Sequence, residues 1–233
     1  MQITPDVYLT NGYPYGRHQN GYLLRAPEAL IVIDSGDMED DSFGTVAAAC
    51  RRWGFEVEQV THLLVTHAHF DHSSHAARFR RMGAKILASP DTAEAMAAGD
   101  DRCIGYAMSR YFEPCETDIL IEDGKSVELG GMVVRAIEAP GHTNGLMVYT
   151  VTLRGERLWF CGDLLKVGPE CASVELGWPG SPDLNRPLYL DTLRRLVHLP
   201  PCDILLPGHG PAGIGVGKRL VDMAYTKAMV EWR

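Results

Sequence analysis

The sequence feature that most constrains this chain is residues 66–72, which read Thr-His-Ala-His-Phe-Asp-His. Three imidazoles, those of His67, His69 and His72, and the carboxylate of Asp71 fall within six consecutive residues. Imidazole and carboxylate are ligands that Zn²⁺ and related divalent ions prefer. The plain alternative is a surface loop with chance histidines, and this density of ligand-type side chains argues against it. The stretch therefore predicts a metal site, which needs a fold that brings further ligands to it.

The stretch follows a buried strand that the apolar run at residues 62–65 predicts. His67 and His69 are two residues apart in a segment leaving that strand, so both can point to the same side. The last two ligand-type residues lie just beyond, on a loop before a helix expected from Ser73. The motif is therefore expected at the C-terminal end of a strand.

Three more ligand-type residues, His142, Asp163 and His209, each follow a predicted strand and sit in a turn that contains glycine. A glycine beside a ligand lets the backbone approach a crowded centre closely. Loops at strand ends gather on one edge of a layered α/β fold. We therefore expect these three side chains to meet the motif in space.

Strands and helices alternate in the first half, and strands with hairpins open the second. The helices are expected at residues 42–53 (capped by Asp40 or Asp41), 90–98, 187–199 and 217–233. In the third of these, Leu190, Leu193 and Val197 would share the buried face. The 99–117 segment is polar and aromatic, and its pattern leaves a functional loop and a covering helix equally open.

Length and composition suit one domain spanning residues 1–233, built from two similar halves at roughly 1–117 and 118–233, because no linker separates them. The net charge of −8 disfavours nucleic acid as a partner. No window approaches 18 apolar residues, so no membrane span is expected. The N-terminus lacks an apolar signal region, and six scattered cysteines form no CxxC pair, which predicts a cytoplasmic protein with reduced thiols.

Taken together, these motifs resemble the metallo-β-lactamase fold superfamily, and within it the glyoxalase II-like (hydroxyacylglutathione hydrolase-like) enzymes. The likeness runs from Asn-Gly-Tyr-Leu at 20–23 and Val-Ile-Asp-Ser-Gly at 32–36, through the HxHxDH motif, to Gly-His-Gly at 208–210. It implies a four-layer αββα sandwich. It also implies that Asp34 accepts a hydrogen bond from a metal-bound histidine and fixes its orientation.

The resemblance implies two divalent ions, Zn²⁺ foremost, with Fe or Mn as alternatives. One ion would be held by His67, His69 and His142, the other by Asp71, His72 and His209, and Asp163 would bridge both. Asp71 and Asp163 are thus the carboxylates expected in the catalytic centre. A hydroxide bridging the ions would attack a small thioester, lactone or other ester.

Departures from the family pattern narrow the expected substrate. Zinc β-lactamases have Cys or Ser where this chain has Asp163, which disfavours a penicillin. Only 24 residues follow His209, which puts glutathione specificity in doubt. Lys166 is a candidate for binding a substrate carboxylate, with an ordinary surface lysine as the alternative, and Tyr106 and Tyr111 are candidates for the pocket lid.

Two other activities are alternatives. A persulfide dioxygenase-like oxidoreductase would hold one iron through two His and one Asp. A phosphodiesterase is disfavoured by the acidic charge. The expected partner is a small molecule, and a homodimer is left open.

Overall fold

The computed structural model describes residues 1–39 and 41–232. Its first sheet has seven strands that lie side by side in chain order. They are β1 (Gln2–Thr4), β2 (Val7–Asn11), β3 (Gly21–Arg25), β4 (Leu30–Ile33), β5 (His62–Leu64), β6 (Lys85–Ala88) and β7 (Ile119–Leu120). The first four pair antiparallel, and β4 to β7 pair parallel.

The second sheet has six strands, which are β8 (Ser126–Leu129), β9 (Met132–Glu138), β10 (Met147–Leu153), β11 (Glu156–Gly162), β14 (Ile204–Pro207) and β15 (Gly213–Ile214). They lie side by side in the order β15-β14-β11-β10-β9-β8. Two short strands, β12 (Lys166–Val167) and β13 (Val174–Glu175), form a separate antiparallel pair. Within the second sheet, β11 and β14 run parallel, so their C-terminal ends meet at one edge.

Within the described residues, six α-helices cover the outer faces of the two sheets. They are α1 (Ser42–Arg52), α2 (Phe70–Ser73), α3 (Ala76–Arg81), α4 (Pro90–Ala98), α5 (Arg186–Leu196) and α6 (Gly217–Glu231). One core lies between the first sheet and α1, α3 and α4, a second between the two sheets, and a third between the second sheet and α5 and α6. The expected four-layer αββα sandwich is confirmed.

Period-two alternation produces these separate cores. In β4, Val32 packs toward the helices while Ile31 and Ile33 pack toward the second sheet. In β14, Leu205 packs toward α5 and α6 while its two neighbours face the first sheet. Because both faces of each sheet are buried, these strands read as continuous apolar runs.

The helix after the motif begins earlier than expected, at Phe70 rather than Ser73. The backbone N–H groups of His72 and Ser73 both bond the carbonyl of His69, which closes the first helical turn. Asp71 and His72 therefore lie on a helix and not on the loop before it.

Other boundaries differ in detail. Asp41 precedes α1 but makes no side-chain capping hydrogen bond, and Asp40 lies outside the described residues. The helix α5 buries Leu193, and Leu190 and Val197 are half-buried against the same core, so the expected face is confirmed. The helix ends at Leu196, earlier than the expected end at residue 199.

The 99–117 segment is a loop with two short 3₁₀ turns, Asp101–Cys103 and Gly105–Met108. Of the two readings left open, the covering helix is therefore wrong. The first sheet continues to Leu120, just beyond the expected boundary at 117. Among the described helices, none combines the length and apolarity that crossing a membrane would require.

Candidate metal centre

The strand ends explain why the ligand-type residues meet. Parallel pairing of β4 with β5 brings Asp34 and Thr66 to one edge of the first sheet. Parallel pairing of β11 with β14 does the same for Asp163 and His209 in the second. A hydrogen bond of 2.9 Å from the Met147 N–H to the Thr66 carbonyl fastens the two edges together. The site therefore lies where both sheets end.

All seven expected ligands lie in one cluster at this edge. Within each of three groups, the donor atoms lie within 4.8 Å of one another. The groups are His67, His69 and His142; His67, His72 and Asp163; and Asp71, His72 and His209. Each group could hold a cation, and the shared members make the groups contiguous.

The carboxylate of Asp163 lies at the centre of the cluster. Its Oδ1 is 3.3 Å from His72 Nε2 and 3.2 Å from His209 Nε2. Its Oδ2 is 3.7 Å from His142 Nε2. The Oδ2 of Asp71 also lies 3.2 Å from His209 Nε2. The two oxygens of Asp163 thus face different halves of the cluster.

Unpaired buried atoms show that these residues fit a cation. The Nε2 atoms of His67 and His72 and the Oδ1 of Asp163 are buried and lack a hydrogen-bond partner among the described residues. Leaving buried polar atoms unpaired is costly, so such atoms are rare unless something binds them. Divalent ions held in the cluster would satisfy all three.

The electrostatics divide the cluster in two. Burial and the neighbouring imidazoles hold the pKa of His67 well below its usual range and lower the pKa of His142 to about 3. These rings are therefore neutral and offer lone pairs. Burial also lowers the pKa of His209, but Asp163 and Asp71 outweigh it and raise the value to about 9. This half of the cluster favours positive charge, which a divalent ion would supply.

Hydrogen bonds outside the cluster aim two of the rings. Asp34 Oδ2 accepts from His72 Nδ1 at 2.8 Å, and the carboxylate also accepts from the backbone N–H and the hydroxyl of Thr66, each at 2.8 Å. The carbonyl of His18 accepts from His209 Nδ1 at 3.0 Å. Each contact leaves Nε2 facing the cluster. Asp34 itself has a φ of 59°, a left-handed conformation that Asp and Asn tolerate best among non-glycine residues.

Sequence reasoning did not find two of the contacts around the cluster. The carbonyl of His18 could not be singled out, because a backbone acceptor leaves no mark in the sequence. Ser181, whose Oγ is 3.1 Å from His69 Nε2, lies 112 residues away from that histidine. No motif spacing marks it.

Two of the candidate substrate-binding residues, Lys166 and Tyr106, lie beside segments that border the cluster. Lys166 precedes Val167, whose N–H donates to the carbonyl of His209, so it lies beside that turn. Tyr106 is 51% exposed and its hydroxyl donates to the carbonyl of Gly180. Tyr111 is 80% exposed. The roles expected for the three remain predictions.

A groove of about 900 Å³ lies elsewhere, at the far end of the second sheet. Arg25, Arg135, Arg157 and Arg195 contribute to its lining. None of the seven ligand-type residues lines this groove, so the groove is separate from the candidate metal centre.

We expect Gly208→Ala to disrupt the cluster. A Cβ at this position would lie 2.4 Å from Asp163 Oδ1 and 2.6 Å from His72 Cε1, closer than van der Waals contact permits. Bound metal per chain, measured by elemental analysis, should fall sharply. Gly54→Ala is the control: its Cβ meets no atom within 4 Å, and its positive φ adds a backbone strain that Gly208 does not have, so it tests whether general destabilisation alone lowers metal content. Unchanged metal content in Gly208→Ala would contradict the crowding at this position.

Comparison with known proteins supplies an independent view. The profile of the metallo-beta-lactamase superfamily matches residues 14–209. An atrochrysone carboxyl ACP thioesterase from Paecilomyces divaricatus is 28% identical over 90% of this chain and 57% of its own. A hydroxyacylglutathione hydrolase from Rhodospirillum rubrum is 30% identical over 81% of this chain and 60% of its own. The chain thus spans about three fifths of the length of these relatives.

Solved structures agree with the fold. A mutant metallo-beta-lactamase from Cronobacter sakazakii is 30% identical, with a TM-score of 0.72 over 90% of this chain and 79% of that one. The native FEZ-1 metallo-beta-lactamase from Legionella gormanii reaches a TM-score of 0.76 over 99% and 94% at 22% identity.

Proposed function

The chain belongs to the metallo-β-lactamase superfamily, and from this premise we propose that it is a binuclear metal-dependent hydrolase of small thioesters, lactones or other esters. The observation that carries the proposal is the position of Asp163. One of its oxygens faces His72 and His209 while the other faces His142. A carboxylate with an oxygen toward each half of a ligand cluster is suited to bridging two ions.

The ligands divide as the family resemblance implies. His67, His69 and His142 would hold one ion, and Asp71, His72 and His209 the other. Bound divalent ions would lower the pKa of water and polarise the scissile carbonyl. Zn²⁺ is the ion that best suits this set of imidazoles and carboxylates.

The chain's own residues would orient the imidazole ligands and keep the nearby thiol of Cys161 from acting as a nucleophile. Asp34 and the His18 carbonyl fix the rings of His72 and His209, which aims their lone pairs. The thiol of Cys161, two residues before Asp163, is fully buried, and burial raises its pKa well above the usual range. It stays protonated and is unsuited to act as a nucleophile.

Two considerations bear on the substrate. Among thioesters, lactones and other esters, the names of the relatives, a thioesterase and a hydroxyacylglutathione hydrolase, favour a thioester. Lys166 beside the His209 turn is the candidate for a substrate carboxylate, and Tyr106 and Tyr111 for the pocket lid.

Because both sheets contribute ligands, we treat residues 1–233 as one functional domain. The six free cysteines support a reducing compartment such as the cytoplasm.

Metal quantification on the purified protein, run beside a thioester and lactone panel, tests the proposal. We expect two divalent ions per chain, and hydrolysis that a chelator abolishes and Zn²⁺ restores. His198→Ala, an exposed histidine outside the cluster, should leave both unchanged. A content of one iron per chain, together with oxygen consumption, would contradict the hydrolase proposal and favour an oxidoreductase. Cleavage of phosphodiesters, without cleavage of thioesters or lactones, would contradict the proposal and favour a phosphodiesterase.

A further inference from the structure

The outward-facing nitrogen of His69 contacts a side chain from the loop before α5. Ser181 Oγ lies 3.1 Å from His69 Nε2, and the two residues are 7% and 2% exposed. The same hydroxyl donates to Asp183 Oδ1 at 2.6 Å. A half-buried carboxylate, a buried hydroxyl and a buried imidazole thus form a chain that ends on a candidate metal ligand.

The direction of the hydrogen bonds in this chain follows from counting protons. An ionised carboxylate only accepts, and a hydroxyl has one proton, so the proton of Ser181 goes to Asp183. Ser181 Oγ must then accept from His69, which places the proton of a neutral ring on Nε2. The other ring nitrogen, Nδ1, is left bare. That atom lies 3.1 Å from His142 Nε2, within the first ligand group.

The same arrangement occurs at His67. Thr66 Oγ1 donates to Asp34 Oδ2 at 2.8 Å and lies 3.1 Å from His67 Nδ1. By the same count, Thr66 accepts from His67 Nδ1, and Nε2 carries no proton and has no hydrogen-bond partner in the described part of the chain. Two histidines of one ligand group are therefore each held by a hydroxyl that is itself held by a carboxylate.

Asp183 is also fastened to the turn that carries His142. Its Oδ2 accepts from the backbone N–H of Asn144 at 2.9 Å. Two residues later, the N–H of Asn185 donates to the carbonyl of Gly141 at 2.8 Å. One carboxylate therefore restrains the ring of His69 and the backbone next to His142.

We propose that Ser181 and Asp183 are positioning residues that hold His69 as its Nε2–H tautomer and aim Nδ1 at the ion of the His67, His69 and His142 group. The inference rests on the proposed metal assignment. Loss of such a partner typically weakens metal binding about 10- to 100-fold. The weakening should be confined to this ion, because the Asp71, His72 and His209 group has its own supports.

Ser181→Ala and Asp183→Ala test the proposal through Zn²⁺ affinity, measured by competition with a chromophoric chelator. We expect the affinity of one of the two sites to fall roughly 10- to 100-fold, with the other unchanged. Ser181→Thr keeps the hydroxyl and should restore binding. Asp191→Ala, an exposed carboxylate on α5, is the matched control. Thermal unfolding of the metal-free variants separates loss of binding from loss of folding.

Long-range ¹H–¹⁵N NMR of the imidazoles gives a second readout that needs no metal. The wild type should show His69 with its proton on Nε2, and Ser181→Ala should show a mixture of tautomers. Wild-type affinity at both sites in Ser181→Ala, an equal loss at both sites, or a proton on Nδ1 in the wild type would each overturn the inference. A wild type that binds no metal but has the Nε2–H tautomer would instead overturn the proposed function.

Discussion

Asp163→Ala is expected to abolish hydrolysis and to strip metal from the centre. The carboxylate is buried, and its Oδ1 lies 3.3 Å from His72 Nε2 and 3.2 Å from His209 Nε2. If Asp163 is the ligand that we propose both ions share, the loss of metal affinity should exceed the roughly 100-fold loss seen when an outer partner is removed. Elemental analysis and the initial rate with a thioester measure the two effects.

Asp163→Asn separates charge from shape. The amide fills the same space but carries no negative charge, so the variant protein should bind at most one ion, and that ion weakly. Burial raises the pKa of Asp163, yet His209 and His72 outweigh burial and hold it well below its usual range, which means that the centre depends on this charge. Asp191→Ala again serves as the exposed control. Wild-type rate and metal content in Asp163→Ala would show that the residue does not bridge the ions.

The clustering of the ligand-type residues was predictable because the sequence signals for it are local. Each ligand follows a strand and lies beside a turn signal, and parallel strands bring such positions to one edge whatever their separation in sequence. In β4, Val32 packs in one core and Ile31 and Ile33 pack in another, but because all three residues are apolar the sequence does not show this alternation. The four-layer architecture was therefore predicted from the family resemblance and not from the period of the apolar residues.

The rest of the site depends on tertiary geometry that no short pattern encodes. Ser181 meets His69 only because the loop before α5 is fastened to the turn at Gly141. The early start of α2 at Phe70 depends on hydrogen bonds to the carbonyls of Ala68 and His69, made partly by the Ser73 hydroxyl. Serines are common, and their partners are settled only when the chain is folded.

Asp34→Asn is expected to lower both the stability of the metal-free protein and its affinity for Zn²⁺. The carboxylate accepts three buried hydrogen bonds, two from Thr66 and one from His72. An asparagine has one acceptor oxygen, so its amide must face at least one of these donors. An unsatisfied buried donor and the loss of a charged acceptor should reduce the free energy of unfolding by about 2–3 kcal/mol.

Asparagine is the informative replacement because it isolates the hydrogen bonds from the backbone. The φ of 59° at Asp34 suits Asn as well as Asp, so Asp34→Asn adds little strain, whereas Asp34→Ala would add left-handed strain to the lost contacts. Asp37→Asn, a buried carboxylate in the same loop that accepts from the Glu39 N–H, is the matched control, since an amide oxygen can keep that bond. Denaturant unfolding of metal-free protein and chelator competition measure the two effects. If Asp34→Asn matched Asp37→Asn in both, the orientation of His72 would not depend on Asp34, and the lone pair of His72 would have to be aimed by packing alone.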